Sequence, residues 1–257
     1  MHRPLRFCVA SSALVALAFA ACSDSSRVTA PIAAHRQADD DDDDAEDQPR
    51  ATRVYDVTLT NLTTGQPFSP GVLVTHRRST AFFRVGSPAS EGLRLIAEDG
   101  DERVAIAELT GRRGVFQVVD VNMPTGRVGG SLPTSRTFRI EAGPGATRLS
   151  LAVMLICTND GFTGLAGVKL PRHFTPQTHV AAGYDAGTEA NDERSPSIVD
   201  PCFAIGPTMG GAADGNARTP TSGEVRHHPG ISGGADLDPG AHGWRDPVAR
   251  ITIQRVR

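Results

Sequence analysis

The chain is poor in large aromatics and lacks the common short enzyme signatures. It has one Trp and two Tyr among 257 residues, so the aromatic platforms usual in a sugar-cleaving cleft are missing. Its four cysteines contain no C-x-x-C pair, which excludes the common redox and zinc spacings. There is no H-E-x-x-H and no EF-hand loop. G-I-S-G-G, 230–234, only looks like a nucleophile elbow. The H-H-P before it and A-D-L-D-P after it supply neither the strand nor the helix an elbow requires. No tandem repeat is evident.

A surplus of positive charge is also absent. The formal net charge is −3. Nine acids and three bases fall within 23–50 and two bases precede them, so the chain from 51 onward keeps 21 of the 26 bases and 20 of the 29 acids. A near-neutral domain offers no basic field for nucleic acid.

What is present begins with an export signal. Arg3 and Arg6 precede an apolar run, Phe7 to Ala21, that is short for a membrane span of about 20 residues and ends in small side chains. Residues 1–21 are therefore expected to be a signal peptide. F-A-A-C, 19–22, follows the pattern of a bacterial lipobox, which would place lipid on Cys22 and anchor the chain to a membrane. Ser23 rather than Asp after that Cys favours the outer membrane. Phe19 departs from the usual Leu, so cleavage after Ala18-Phe19-Ala20, giving a secreted or periplasmic protein, stays open. Residues 22–50 then read as a disordered acidic tether, because the six aspartates Asp39 to Asp44 repel one another and stay solvated. With Cys8 in the signal and Cys22 at its end, Cys157 and Cys202 remain as a pair in an exported chain. A disulfide between them is the economical reading.

Residues 51–257 form one domain. R-V-Y-D-V-T-L-T-N-L-T, 53–63, partly alternates apolar and polar residues, as a strand does. L-V-T-H (73–76), T-A-F-F-R-V (80–85), G-V-F-Q-V-V-D-V (114–121) and R-T-F-R-I-E-A (136–142) are further β-type runs. R-L-S-L-A-V-M-L-I-C, 148–157, is the most apolar run, and its later half is continuous, as in a strand buried on both faces. V-A-R-I-T-I-Q-R-V, 248–256, closes the set. One segment, 87–101, reads as a short helix, with Ser90 as N-cap and Gly100 as terminator. The run 102–109 could extend it or be a strand. Residues 203–247 are rich in Gly, Pro, Asp and His without periodicity. Short strands split by turns predict an all-β fold, an antiparallel β-sandwich with long irregular loops and one short helix.

Two acidic loops follow apolar runs. One is T-N-D-G-F-T-G, 158–164. The other is G-Y-D-A-G-T-E-A-N-D-E, 183–193. Carboxylates, amides and hydroxyls among glycines suit a hard cation such as calcium, which takes six to eight oxygens. A plain turn has the same composition, and Asp160 and Asp185 are also the carboxylates a hydrolase could pair. His227, His228 and His242 offer imidazoles for a transition metal, but adjacent side chains in extended chain point opposite ways, so exposed loop histidines are the simpler reading.

Taken in order, Y-D-V-T-L-T-N-L-T, M-L-I-C-T-N-D-G-F-T-G-L, Y-D-A-G-T-E, H-H-P-G-I and P-V-A-R-I-T-I-Q-R-V resemble the spondin N-terminal domain family in its bacterial secreted branch. Phe162 stands where a Trp is common in that family. The resemblance implies a sandwich similar to C2-type domains, with calcium held between loops at one end. It implies Asp160, Asp185 and Glu189 as carboxylate ligands and leaves Asp192 and Glu193 as solvated loop acids. Its animal members are extracellular-matrix proteins that bind cell surfaces and macromolecules. The expected function is calcium-dependent binding or adhesion at the envelope, toward an extracellular macromolecule or glycan. The alternatives are a secreted hydrolase using the same loop acids and a purely structural envelope protein.

Overall fold

The computed structural model describes residues 51–207 and 217–257. The expected signal peptide, Cys22 and the acidic tether lie outside those residues, as does part of the 203–247 stretch.

The alternation read in 53–63 becomes β1, Arg53–Asn61, whose Tyr55, Val57 and Leu59 point into the core. It pairs antiparallel with β4 (Ser135–Ala142) and with the closing strand β10 (Ala249–Arg255); β7 (Gln177–Ala181) completes a four-stranded sheet in the order β4-β1-β10-β7. The outer face of that sheet is polar. Asp56 lies opposite Arg139 and accepts two guanidinium hydrogen bonds from it at 2.7 and 2.9 Å, and Thr58 and Thr137 share one at 2.8 Å.

The second sheet has six strands, ordered β3-β2-β5-β6-β8-β9, with every pairing antiparallel. These are β2 (Phe68–His76), β3 (Val115–Val121), β5 (Arg148–Leu155), β6 (Gly161–Lys169), β8 (Gly183–Asp185) and β9 (Arg226–His227). The β-sandwich expectation is met, and the one short helix expected over 87–101 is joined by a second. Helices α1 (Glu91–Asp99) and α2 (Arg103–Leu109) cover the outer face of this sheet. Leu149, Leu151, Val153 and Leu155 of β5 face the opposite sheet, whereas Ala152 joins Leu93, Ile96, Ala105 and Leu109 beneath the helices. Burial on both faces is why β5 reads as an uninterrupted apolar run.

Helix α1 starts and stops where its caps require. Ser90 Oγ accepts the Leu93 N–H at 3.2 Å, and Gly100 adopts φ 66°, a left-handed conformation that glycine takes at little cost. The run 102–109 neither extends α1 nor forms a strand but makes the separate helix α2. T-A-F-F-R-V is not a strand either. It is apolar because Phe82 and Phe83 plug the helix-facing core, Phe83 packing edge-on against Phe162 with ring centroids 5.0 Å apart.

Candidate metal centre

Both acidic loops emerge at one end of the six-stranded sheet. The first is shorter than its sequence suggests. Thr158 Oγ1 donates to the Leu155 carbonyl at 2.6 Å and accepts the Gly161 N–H at 2.9 Å, and this turn sends the chain straight into β6. Residues 161–164 are thus strand, and only the stretch between β5 and β6 is loop. Gln66 holds its base: Nε2 donates to the Cys157 carbonyl at 3.1 Å and to the His242 carbonyl at 2.7 Å, and Oε1 accepts the Cys157 N–H at 2.9 Å. Beside it the Cys157–Cys202 disulfide fastens the loop to α3, Pro201–Ile205.

The ladder then places the acids. Gly161 is in register with Asp185, and the Ala186 N–H donates to the Asp160 carbonyl at 3.0 Å. After Asp185 the chain reverses at Gly187 (φ 75°), where a Cβ would stand 2.8 Å from backbone atoms of Glu224. The glycine of Y-D-A-G-T-E is therefore required by both conformation and space. The reversal brings the Thr188 and Glu189 N–H groups onto Asp160 Oδ2 at 2.7 and 3.1 Å.

Asp160, Asp185 and Glu189 are all buried. Their partners differ. Asp185 is fully engaged: Oδ1 accepts the Gly187 N–H at 2.8 Å, and Oδ2 accepts Asn191 Nδ2 at 2.7 Å and Arg226 at 2.9 Å. Asp160 Oδ1 and Glu189 Oε2, by contrast, are buried with no hydrogen-bond donor. Arg218 Nε lies 3.4 Å from Glu189 Oε2, near enough for attraction, yet neither atom is hydrogen-bonded. The guanidinium is instead directed to Asp99 at 2.7 Å and to the Glu98 carbonyl at 2.8 Å. Burial, then the charge of Asp185, pushes the Asp160 carboxyl up to about 6, against the N–H groups of Thr188 and Glu189. Burial pushes Glu189 up to about 8, against Asn159 and Arg218. At both carboxyls burial outweighs the donors and charge that the protein supplies, which favours the protonated form. Glu189 and Arg218 also line a cleft of about 460 Å³ with Arg94, Glu98 and Thr188.

As the side chains stand, the three predicted ligands do not form a closed shell. Among the described residues, a trio with ligand atoms within 4.8 Å of one another is Cys157, Cys202 and His242, and the first two are consumed by the disulfide. The fit to a hard cation rests on two orphaned, all-oxygen donors, Asp160 Oδ1 and Glu189 Oε2. Asp185 is close enough to raise Asp160 but is turned toward Arg226.

Several residues differ from their sequence reading. Glu193 is not a solvated acid. It is buried at φ 53°, and its carboxylate accepts the N–H groups of Ser232, Gly233 and Gly234 at 2.5, 2.8 and 3.0 Å. G-I-S-G-G is thus an internal anion nest rather than an elbow. Asp192 accepts Asn159 Nδ2 at 3.0 Å and the Ser197 hydroxyl at 2.8 Å. Asn159, which sequence reasoning passed over, links both acids: its Nδ2 also reaches Glu189 Oε1 at 2.9 Å, and its Oδ1 accepts the Glu193 N–H at 3.2 Å. His242 is buried and His228 half-buried, so only His227 of the three is exposed, and it lies in strand β9 rather than in a loop. Burial pushes His228 down to about 4, and its ring packs 5.0 Å from Trp244.

The Spondin_N family model matches residues 60–198, more than half of the chain and including both acidic loops. The chain belongs to the Spondin_N family. No curated protein sequence matches it. The matched Spondin_N region holds Asp160, Asp185 and Glu189 but ends before the H-H-P-G-I step and β10. Membership in this extracellular family agrees with the Cys157–Cys202 disulfide as a mark of an exported chain.

Proposed function

We propose that this Spondin_N domain is a calcium-stabilised binding module displayed outside the cytoplasm of a bacterium, tethered through Cys22 or released after signal cleavage. The observation that carries the calcium reading is the pair of buried carboxylate oxygens, Asp160 Oδ1 and Glu189 Oε2, that no protein donor satisfies. A divalent cation there would neutralise both acids and draw on the hydroxyls and carbonyls of the same loops; Asp185, whose charge reaches Asp160 but whose oxygens are held by Gly187, Asn191 and Arg226, would have to turn to join them. Bound calcium would supply charge and loop rigidity at the end of the sandwich, where an extracellular macromolecule or glycan would meet it.

The test is calcium titration by calorimetry on the exported protein, with melting curves in chelator. An ion that binds only the native state raises its stability by mass action. Calcium should raise the melting temperature, and Asp160→Asn and Glu189→Gln should each remove most of that rise. Glu224→Gln, at an exposed acid in the same region, should leave it intact. A melting curve indifferent to calcium and chelator would end the metal reading.

One observation favours a second reading. Glu189, with its carboxyl pushed up to about 8, lines the cleft, and a carboxylic acid protonated near neutral pH is what a hydrolase uses as general acid. That reading predicts glycan turnover abolished by Glu189→Gln even in saturating calcium.

A further inference from the structure

The domain is near neutral overall, but the fold separates its charge. Strands β2, β5 and β6 run the length of the larger sheet, with the acidic loops at one end. At the other end β2 finishes at His76, β5 begins at Arg148 and β6 finishes at Lys169. The segments gathered there, 76–87, 110–119, 142–150 and 164–169, contain no Asp or Glu. They surround a recess of about 270 Å³ lined by His76, Arg78, Arg84 and Arg148.

The cations around this recess are placed by the backbone. The Arg77 guanidinium stands about 3.5 Å from where a Cβ on Gly145 would lie, over the turn before β5. Burial pushes the His76 imidazole down, and the nearby charges of Arg148 and Arg112 add to this; the ring is tied to the Arg77 carbonyl at 2.9 Å and to Ser150 Oγ at 2.8 Å. Among the described residues, the guanidinium groups of Arg77, Arg84, Arg112 and Arg148 have no carboxylate partner. This contrasts with Arg94, Arg103 and Arg139, each of which is ion-paired. Four unpaired guanidiniums at one pole of a neutral domain cost repulsion that an anionic ligand would remove.

We propose that this recess binds an anionic polysaccharide through its sulfate or phosphate groups. Guanidinium forks match tetrahedral oxyanions bidentately. A recess of this size admits one substituted sugar ring, whereas a flat bilayer surface could not enter it. Phe116, 45 % exposed and lying over Gly143 at the same pole, offers a flat apolar face to the neighbouring sugar. The site is independent of the acidic end, so its occupancy does not require calcium.

Retention of the exported full-length protein on immobilised dextran sulfate, against uncharged dextran, tests this. Retention should occur on dextran sulfate alone, persist in chelator, and weaken steeply with salt as counterions are displaced. Arg84→Glu with Arg148→Glu should lower affinity by roughly tenfold or more, since each guanidinium–oxyanion contact is charge-assisted. Arg245→Glu with Arg250→Glu, an equal charge change at exposed positions outside the recess, should change it less than about twofold. Should the double variant fail to fold by circular dichroism, Arg84→Gln alone, at an exposed side chain, should still weaken binding. Equal retention of recess and control variants, no retention at low salt, or binding to phosphatidylglycerol vesicles or duplex DNA in place of dextran sulfate would each overturn the proposal. Loss of calcium-dependent stability with retention intact would sink the metal reading while leaving this one standing.

Discussion

The Glu189 backbone N–H donates to Asp160 Oδ2 at 3.1 Å, while the side chains of these two residues each keep one buried oxygen without a donor. The same turn that partly satisfies Asp160 therefore carries a second acid into its neighbourhood. Neither gains enough positive charge from the protein, which is the physical basis of the predictions for this end of the sandwich.

In the metal-free protein this predicts a pH dependence of definite sign. A carboxyl whose pKa is raised on folding holds its proton more tightly when folded, so its contribution is present at low pH and lost as pH rises to the folded value. With Asp160 at about 6 and Glu189 at about 8, chelated protein should lose stability as pH climbs from about 4 to about 8. Melting temperatures across that range should fall in chelator and flatten in Glu189→Gln. A flat profile for the wild-type chain would show that the burial of these acids carries no proton linkage.

Glu193 should behave with the opposite sign. Burial would raise its carboxyl, but hydrogen bonds from Ser232, Gly234 and Gly233 outweigh that and hold it low. Its contribution is present above the ordinary glutamate range and lost as pH falls through the folded value. Glu193→Ala leaves three N–H groups without their acceptor and should cost about 1–3 kcal/mol in urea unfolding at neutral pH. A change below about 0.5 kcal/mol, in the range of ordinary surface substitutions, would mean that the nest does not hold the 230–234 segment in place.

The Cys157–Cys202 bridge joins residues 45 apart in sequence. In the chain-entropy picture it should contribute roughly 4 kcal/mol by constraining the unfolded chain. Cys157→Ala with Cys202→Ala should therefore unfold at markedly lower urea concentration. Because Gln66 also grips the base of this loop, calcium affinity should fall less than stability does. Equal unfolding midpoints with and without the bridge would contradict this expectation.

Export is tested at Cys22. Labelled palmitate should enter the full-length chain in a bacterial host, and Cys22→Ala should abolish both the label and membrane fractionation. Unlabelled protein that fractionates identically with and without Cys22 would leave simple signal cleavage as the route.

The sequence by itself determined the strand-rich class, because alternation in 53–61 and 249–255 and the apolar run of β5 follow directly from one-face and two-face burial. It also determined the caps of α1, since Ser90 and Gly100 act on residues three or four places away, and the pairing of Cys157 with Cys202, the two cysteines left once the signal and its end are set aside. The positions of Asp160, Asp185 and Glu189 at one end of the sandwich were legible only through the resemblance carried by T-N-D-G-F-T-G and Y-D-A-G-T-E. What tertiary structure alone decided were relations between distant segments. Glu193 reads as a loop acid until Ser232 to Gly234 arrive to bind it, and Asn159 and Gln66 look like ordinary polar residues until the folded loops give them partners. Asp185 looks interchangeable with Asp160, yet Arg226 reaches only one of them. The arginines of four separate segments sum to nothing in the net charge, because composition counts charges without direction. Strand order places β2, β5 and β6 side by side, and only that alignment sends the acids to one pole and leaves the bases at the other.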